Sequence, residues 1–183
     1  MNRNRMPTLL AITLLSSLAL RAPTSRAEPN PLSPVTRPTE ADLKGISFAV
    51  SPWDTAPKLG DPIFLKIVLK NTSNHPLIFD DRRNGGDEIN YLLSLERVGG
   101  DSPPLTEKAQ TLYSPRHWER IRMLRHELKP GESLQVTLDL THIYQMKEPG
   151  EYKLQVKRYV YKGNQDLLIP ILTDKITLNI QRD

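Results

Sequence analysis

From residue 46 onward, apolar side chains recur at every second position, the spacing that lines one face of an extended strand. Ile46, Phe48 and Val50 alternate in this way, and Ile63, Leu65, Ile67 and Leu69 do so over a longer run. The rhythm returns at Leu77 and Phe79, at Tyr91, Leu93 and Leu95, and at Leu134, Val136 and Leu138. It closes with Tyr152, Leu154 and Val156, then Ile176, Leu178 and Ile180. Seven short alternating runs predict an all-β chain, an antiparallel β-sandwich of about seven to nine strands.

Turn-forming residues separate the runs. Gly60-Asp61-Pro62 precedes the second strand, Asn71-Thr72-Ser73-Asn74 ends it, and Asn84-Gly85-Gly86 breaks the middle of the chain. Pro130-Gly131 and Pro149-Gly150 each introduce a further strand. Proline lacks a donor, and glycine and asparagine tolerate positive φ, so these positions end ladders. Residues 99 to 120 form an unusually long connection, and such loops in small domains are either functional or disordered. A loop with one helical turn, followed by a strand through Leu128, is the reading of this region.

The first 27 residues differ from the rest. Arg3 and Arg5 precede a weakly polar to apolar run over residues 9 to 20, and Ser25-Arg26-Ala27 follows. This is the layout of a secretory signal peptide, with cleavage expected after Ala27. A dozen residues rise only about 18 Å as a helix, short of the roughly 30 Å hydrocarbon core, so no membrane span is expected once the leader is cleaved. Residues 28 to 44 carry prolines at 29, 31, 34 and 38 and few large apolar side chains, which predicts an extended tether. Residues 45 to 183 then form the single folded domain.

The leader alters the electrostatic picture. Its four arginines, at 3, 5, 21 and 26, account for the whole excess of 25 Lys plus Arg over 21 Asp plus Glu. The mature chain is formally neutral, so global charge gives no support for nucleic-acid binding. The chain has no cysteine, which excludes disulfides, thiolate catalysis and cysteine-ligated zinc.

The stretches LKNTSNHPLIF at 69 to 79, LKPGESLQVTLDL at 128 to 140 and EPGEYKLQV at 148 to 156 together resemble bacterial exported immunoglobulin-like domains. In these a strand ends in an asparagine-rich turn and a later strand begins after a Pro-Gly-x-Tyr step. The order is also similar to that of the bacterial intracellular proteinase inhibitor family, whose domain is a similar sandwich. The resemblance implies an immunoglobulin-like fold over about residues 46 to 183 and leaves function open. The leader and the 99 to 120 insertion depart from the inhibitor pattern.

No HExxH motif and no GxSxG elbow surrounds the four histidines and the many serines, so a catalytic role has no sequence support. The stretch DDRRNGGDE at 80 to 88 supplies the hard oxygens that calcium prefers. Arg82 and Arg83 lie inside it, however, and the spacing is not that of an EF-hand, so a solvated hairpin tip is the better reading. His126 and His142 have no ligand spacing; no metal or cofactor is expected. Asn71-Thr72-Ser73 matches a glycosylation acceptor but reads as a turn. Tyr152, entering a strand beside a corner, is read as burying its ring and returning its hydroxyl to nearby backbone.

The most suggestive stretch is RHWERIRMLRHELK at 116 to 129, with five cations against Glu119 and Glu127. Arginine and aromatic residues are favoured interface anchors, because both offer large contact area with directed donors or a π face. Tyr113, Arg116, His117, Trp118, Arg120 and Arg122 are therefore the candidate partner-binding residues. The alternative places Trp118 as a cap on the core, with the arginines paired to neighbouring acids. The expected function is that of a periplasmic or secreted, non-catalytic binding or scaffolding module whose partner is a protein or cell-envelope component. Inhibition of an exported protease, with the 99 to 120 loop presented to the enzyme, is the alternative. An enzyme whose site forms only on folding is the third.

Overall fold

A computed structural model describes residues 44–82, 86–114, 122–161 and 167–182. The expected leader and, but for Lys44, the tether lie outside these residues. Among them are nine strands: β1 (Ile46–Pro52), β2 (Phe64–Asn71), β3 (Leu77–Arg82), β4 (Leu92–Arg97), β5 (Met123–Leu128), β6 (Ser133–Asp139), β7 (Gly150–Tyr161), β8 (Leu168–Leu172) and β9 (Ile176–Ile180). They form two antiparallel sheets, one of three strands in the order β1-β2-β6 and one of six built around β7. This is the antiparallel sandwich that the alternation predicts, and all seven runs lie on strands or, for Ile63 and Tyr91, immediately before one.

The alternation appears directly in the burial. On β2, Leu65, Ile67 and Leu69 are fully buried, and on β7 every even position from Tyr152 to Val160 is buried. Val50, Leu65, Ile67 and Val136 of the small sheet meet Leu95, Leu154 and Val156 of the large one in the main core. Each such side chain contributes about 1.5–3 kcal/mol of gross burial. A second cluster joins Leu69, Leu77, Phe79, Leu128, Val160, Ile169 and Ile171.

The twelve-residue β7 is flanked on each side by two strands laid end to end. On one side, β3 meets it at Ile78↔Tyr161, and β4 runs from Leu92↔Lys157 to Arg97↔Tyr152. Both are antiparallel to β7, so β3 and β4 run in the same direction. The 80 to 88 stretch is therefore not the tip of a hairpin between β3 and β4: Asp80 to Arg82 belong to β3, residues 83–85 lie outside the described residues, and the described part of the insertion that follows is a short 3-10 helix, η1 (Asp87–Asn90). On the other side, β8 ends at Lys157↔Leu172 and β9 begins at Leu154↔Ile176, so two residues of β7, 155 and 156, face three of its neighbour, 173 to 175. Thr173 absorbs the extra residue. Its N–H donates to the Val156 carbonyl at 2.9 Å, and its buried hydroxyl accepts from the Val156 N–H at 3.1 Å. A bulge of this kind keeps the ladder satisfied through a slip in register.

The β3-β4 lane breaks beside Arg158, an inward position of β7 that is 2% exposed. Its guanidinium lies 4.5 Å from the Phe79 ring centroid and 4.8 Å from that of Tyr91, so it separates the two apolar clusters. Asp81, directed inward from β3, pairs with it. His126 stacks on Phe79 and reaches Asp81 at 3.3 Å. Burial pushes the neighbouring Tyr91 hydroxyl up to about 12, against the opposing pull of Arg158, so Tyr91 stays neutral.

The long connection after β4 is in large part built into the body. A short helix, α1 (Glu107–Leu112), buries Ala109 and Leu112, and the Thr106 hydroxyl caps it by accepting from the Ala109 N–H. Thr106 also binds the carbonyls of Ile143 and His142, and the Gln145 N–H donates to Pro104 at 2.8 Å. The chain then returns as β5, ending at Leu128 as the sequence predicts.

Tyr152 has the expected corner geometry: its ring is 2% exposed and its hydroxyl donates to the Glu148 carbonyl at 2.6 Å. Tyr152→Phe removes that bond and is expected to lower stability by about 1 kcal/mol, read by urea denaturation. Equal midpoints for the two proteins would remove the hydroxyl from the account of this corner.

Candidate recognition surface

The outward face of the larger sheet is assembled across four strands in the order β5-β3-β7-β8. Odd positions of β7 point away from the core because the even ones fill it, which places Lys157, Tyr159 and Tyr161 outside. Cross-strand pairing sets the rest of the row: Glu127 faces Ile78, Ile78 faces Tyr161, and Tyr161 faces Leu168. One rung further, Arg125 faces Asp80, and Tyr159 faces Pro170.

The polar groups on this face are ordered by one another. The Tyr161 hydroxyl donates to the Asp80 carboxylate at 2.5 Å. Arg125 reaches the other oxygen of Asp80 at 3.5 Å, with its guanidinium 4.5 Å above the Tyr161 ring. Lys157 sits 5.6 Å from the centroid of Tyr159. Burial, followed by the hydrogen bond to Asp80, raises the Tyr161 hydroxyl above its ordinary range, so the group remains a donor at neutral pH. Around this frame Leu168 and Leu172 are 38 and 39% exposed along β8, and Met123 is 50% exposed on β5. Single exposed apolar residues are ordinary, but three of them framing two tyrosines and an arginine on one sheet face form a patch of interface composition.

The residues singled out in the sequence are distributed unequally. Arg122 is exposed at the entrance to β5, next to this face. Tyr113 lies elsewhere, packed against the main core, with its hydroxyl proton shared between the carbonyls of Glu88 and Tyr91 at 3.3 and 3.2 Å. Arg116, His117, Trp118 and Arg120 lie outside the described residues. In the sequence, Asp80 is marked only as part of the 80 to 88 stretch, and Tyr159, Tyr161, Leu168 and Leu172 are not singled out, although Lys157, Tyr159 and Tyr161 occupy alternate positions opposite Val156 and Val160, which marks a polar-aromatic outer face.

A second polar constellation joins η1 to a 3-10 helix, η2 (Leu140–His142). His142 lies 3.5 Å from Glu88 and 3.6 Å from Asp139, and Lys108 lies 3.4 Å from Glu88. Burial alone would push the Glu88 carboxyl up, but its own backbone N–H, Lys108 and His142 outweigh burial and hold it below the ordinary value. These groups tie the insertion and α1 to η2. The nearby Thr141 hydroxyl donates to Asp139 at 2.6 Å, a local turn rather than a nucleophile paired with a base. Among the described residues no group of three or more His, Cys, Asp or Glu could hold a metal ion, and no helix is long and apolar enough to cross a membrane.

No family model and no curated protein matches the chain. Among solved structures it has a likeness to a β-glucosidase from Listeria innocua in complex with isofagomine, at 16% identity over 75% of this chain with a TM-score of 0.39. A β-glucosidase from Erythrobacter marinus is similar at 18% identity over 73%, with a TM-score of 0.34. The chain spans 16 and 15% of the lengths of those two enzymes.

Proposed function

We propose that the chain is an exported, non-catalytic recognition module that uses the β5-β3-β7-β8 face to bind an acidic protein surface of the cell envelope. One observation carries this reading: exposed leucines and a methionine surround an ordered Tyr-Asp-Arg frame on a single sheet face. Exposed leucines favour a protein over a hydrated polymer, because an apolar side chain gains only where the partner also excludes water. Arg125, Lys157 and the adjoining Arg122 favour an anionic partner. Export rests on the basic, apolar and small-residue order of the first 27 residues.

Capture from an envelope fraction tests the reading. Leu168→Glu with Tyr159→Ala is expected to abolish retention of the partner that the unaltered chain retains, at an unchanged melting temperature. Gln135→Glu with Thr137→Ala, on the outer face of the small sheet, is expected to leave retention intact. Retention by the first variant would sink the assignment of this face. Arg116→Ala with Trp118→Ala, measured alongside, reports whether the neighbouring segment shares the contact. The inhibitor alternative has less support, because residues 104 to 112, in the middle of the 99 to 120 connection, are bonded into the body.

A further inference from the structure

β5 ends the larger sheet. One of its edges pairs with β3 from Leu77↔Leu128 to Arg82↔Met123, and no strand among the described residues pairs with the other. An edge of this kind presents a row of unpaired N–H and C=O groups and is a template for a further strand. Met123 and Leu124, on opposite faces of β5, are 50 and 36% exposed, so neither face of its first half is closed off. Charged side chains normally blunt such edges, and β5 carries Arg125 and Glu127 on its outward face.

Those two charges are arranged to suit a second copy of the same strand. When two copies of β5 pair antiparallel about a two-fold axis perpendicular to the sheet, inward residues meet inward and outward meet outward, so the axis must pass through a residue position. An axis at Arg125 would oppose two guanidinium groups, and one at Glu127 would oppose two carboxylates. An axis at His126 instead sets Arg125 opposite Glu127 twice and Leu124 opposite Leu128 twice, joining opposite charges outside and apolar side chains inside. Cross-strand pairs of these kinds are favourable and like charges are not. Glu127 is exposed and has no ion partner among the described residues, and the Arg125 side chain, which contacts Asp80, is 56% exposed.

We propose that the chain forms a two-fold dimer by antiparallel pairing of β5 with β5 of a second copy, in the register centred on His126. The pairing continues the larger sheet across both molecules, places two recognition faces side by side on one surface, and closes the exposed edge. It shares Arg125 with the partner-binding face but not Tyr159 or Leu168, so Glu127→Arg tests the dimer while Leu168→Glu with Tyr159→Ala tests the face.

Sedimentation of the purified chain over a concentration series is expected to show reversible conversion to twice the monomer mass. Glu127→Arg turns two attractive pairs repulsive and is expected to weaken association about tenfold or more, without change in melting temperature. Exchange of both charges, Arg125→Glu with Glu127→Arg, restores the pairs and is expected to restore the dimer. Because Arg125 also braces Asp80, a second measurement fixes the register. The chain has no cysteine, so His126→Cys is expected to form an intermolecular disulfide on mild oxidation, whereas Thr177→Cys on β9 is expected not to. A chain that stays monomeric throughout the series, a dimer indifferent to Glu127→Arg, or equal cross-linking at 126 and 177 would overturn the proposal.

Discussion

Replacing Asp81 with leucine is expected to lower the stability of the chain by about 3–5 kcal/mol, the cost of leaving a buried charge without its partner. Arg158 is 2% exposed, lies between the Phe79 and Tyr91 rings, and has a buried Nε with no hydrogen-bond partner in the described structure. The Asp81 carboxylate is the counter-charge that makes this position tolerable. The opposite deletion is expected to be cheaper. In Arg158→Met, Asp81 retains His126 at 3.3 Å and, with 24% of its side chain exposed, can be hydrated. A cost of about 1–2 kcal/mol follows, and the flexible thioether fills most of the space between the rings. The double variant, Asp81→Leu with Arg158→Met, is expected to return close to the stability of the original chain, since a buried pair replaced by apolar groups of similar volume is often neutral. Urea denaturation of the four proteins gives the coupling directly. Equal costs for the two single variants, with simple addition in the double, would show that Asp81 does not compensate a buried charge.

The same residue explains part of what was hidden in the sequence. The alternation Tyr152, Leu154, Val156 continues through Arg158 to Val160, but an arginine at an inward position interrupts the apolar pattern, so the second half of β7 was not legible. β8 was missed for a different reason. Leu167, Leu168, Ile169, Pro170, Ile171 and Leu172 form an unbroken apolar run around a proline, and period two is absent because Ile169, Pro170 and Ile171 are all buried. Nor does local sequence reveal that β3 and β4 share one lane of the sheet, since both depend on their pairing with β7, about 60 to 80 residues further on. The seven clean runs were legible because each has a wet face and a dry face.

The proposed recognition face was less legible still, because it draws single residues from four strands: Arg125, Asp80, Tyr161 and Leu168 are neighbours only after β3 has paired with β5 and β7, and β7 with β8. The arginine-rich stretch at 116 to 129 overlaps it in part. It contains β5, which supplies Arg125 to the face and Glu127 to the free edge. Tyr113, close to that stretch in sequence, is carried by α1 to η1, where its hydroxyl donates to the carbonyls of Glu88 and Tyr91.

Asn71→Ala is expected to cost about 3 kcal/mol, and Asn71→Asp more, because this side chain ties three segments together from a fully buried position. Its Nδ2 donates to the carbonyls of His75 at 2.7 Å and Leu128 at 2.8 Å. Its Oδ1 accepts from the N–H and the hydroxyl of Ser73 at 3.0 and 2.7 Å. All four bonding positions of the amide are filled, so the group closes the turn after β2 and holds it to the last residue of β5, in the opposite sheet. A sugar on that nitrogen would replace one of its two hydrogens, break at least one of these carbonyl bonds and have no room at a fully buried position, which favours the turn reading of Asn71-Thr72-Ser73 over an acceptor. Alanine strands the Leu128 carbonyl without this donor and empties the centre of the turn. Aspartate places an oxygen against two carbonyl oxygens, and only its protonated form can donate to one of them. Its carboxyl pKa in the folded state is therefore raised above the unfolded value, so the variant is expected to be least unstable in acid and to lose stability as pH climbs through the carboxylate range. Urea midpoints for the three proteins between pH 4 and 7 read both effects. An alanine variant within 1 kcal/mol of the original chain, or an aspartate variant whose deficit does not grow with pH, would show that the buried amide does not join the sheets.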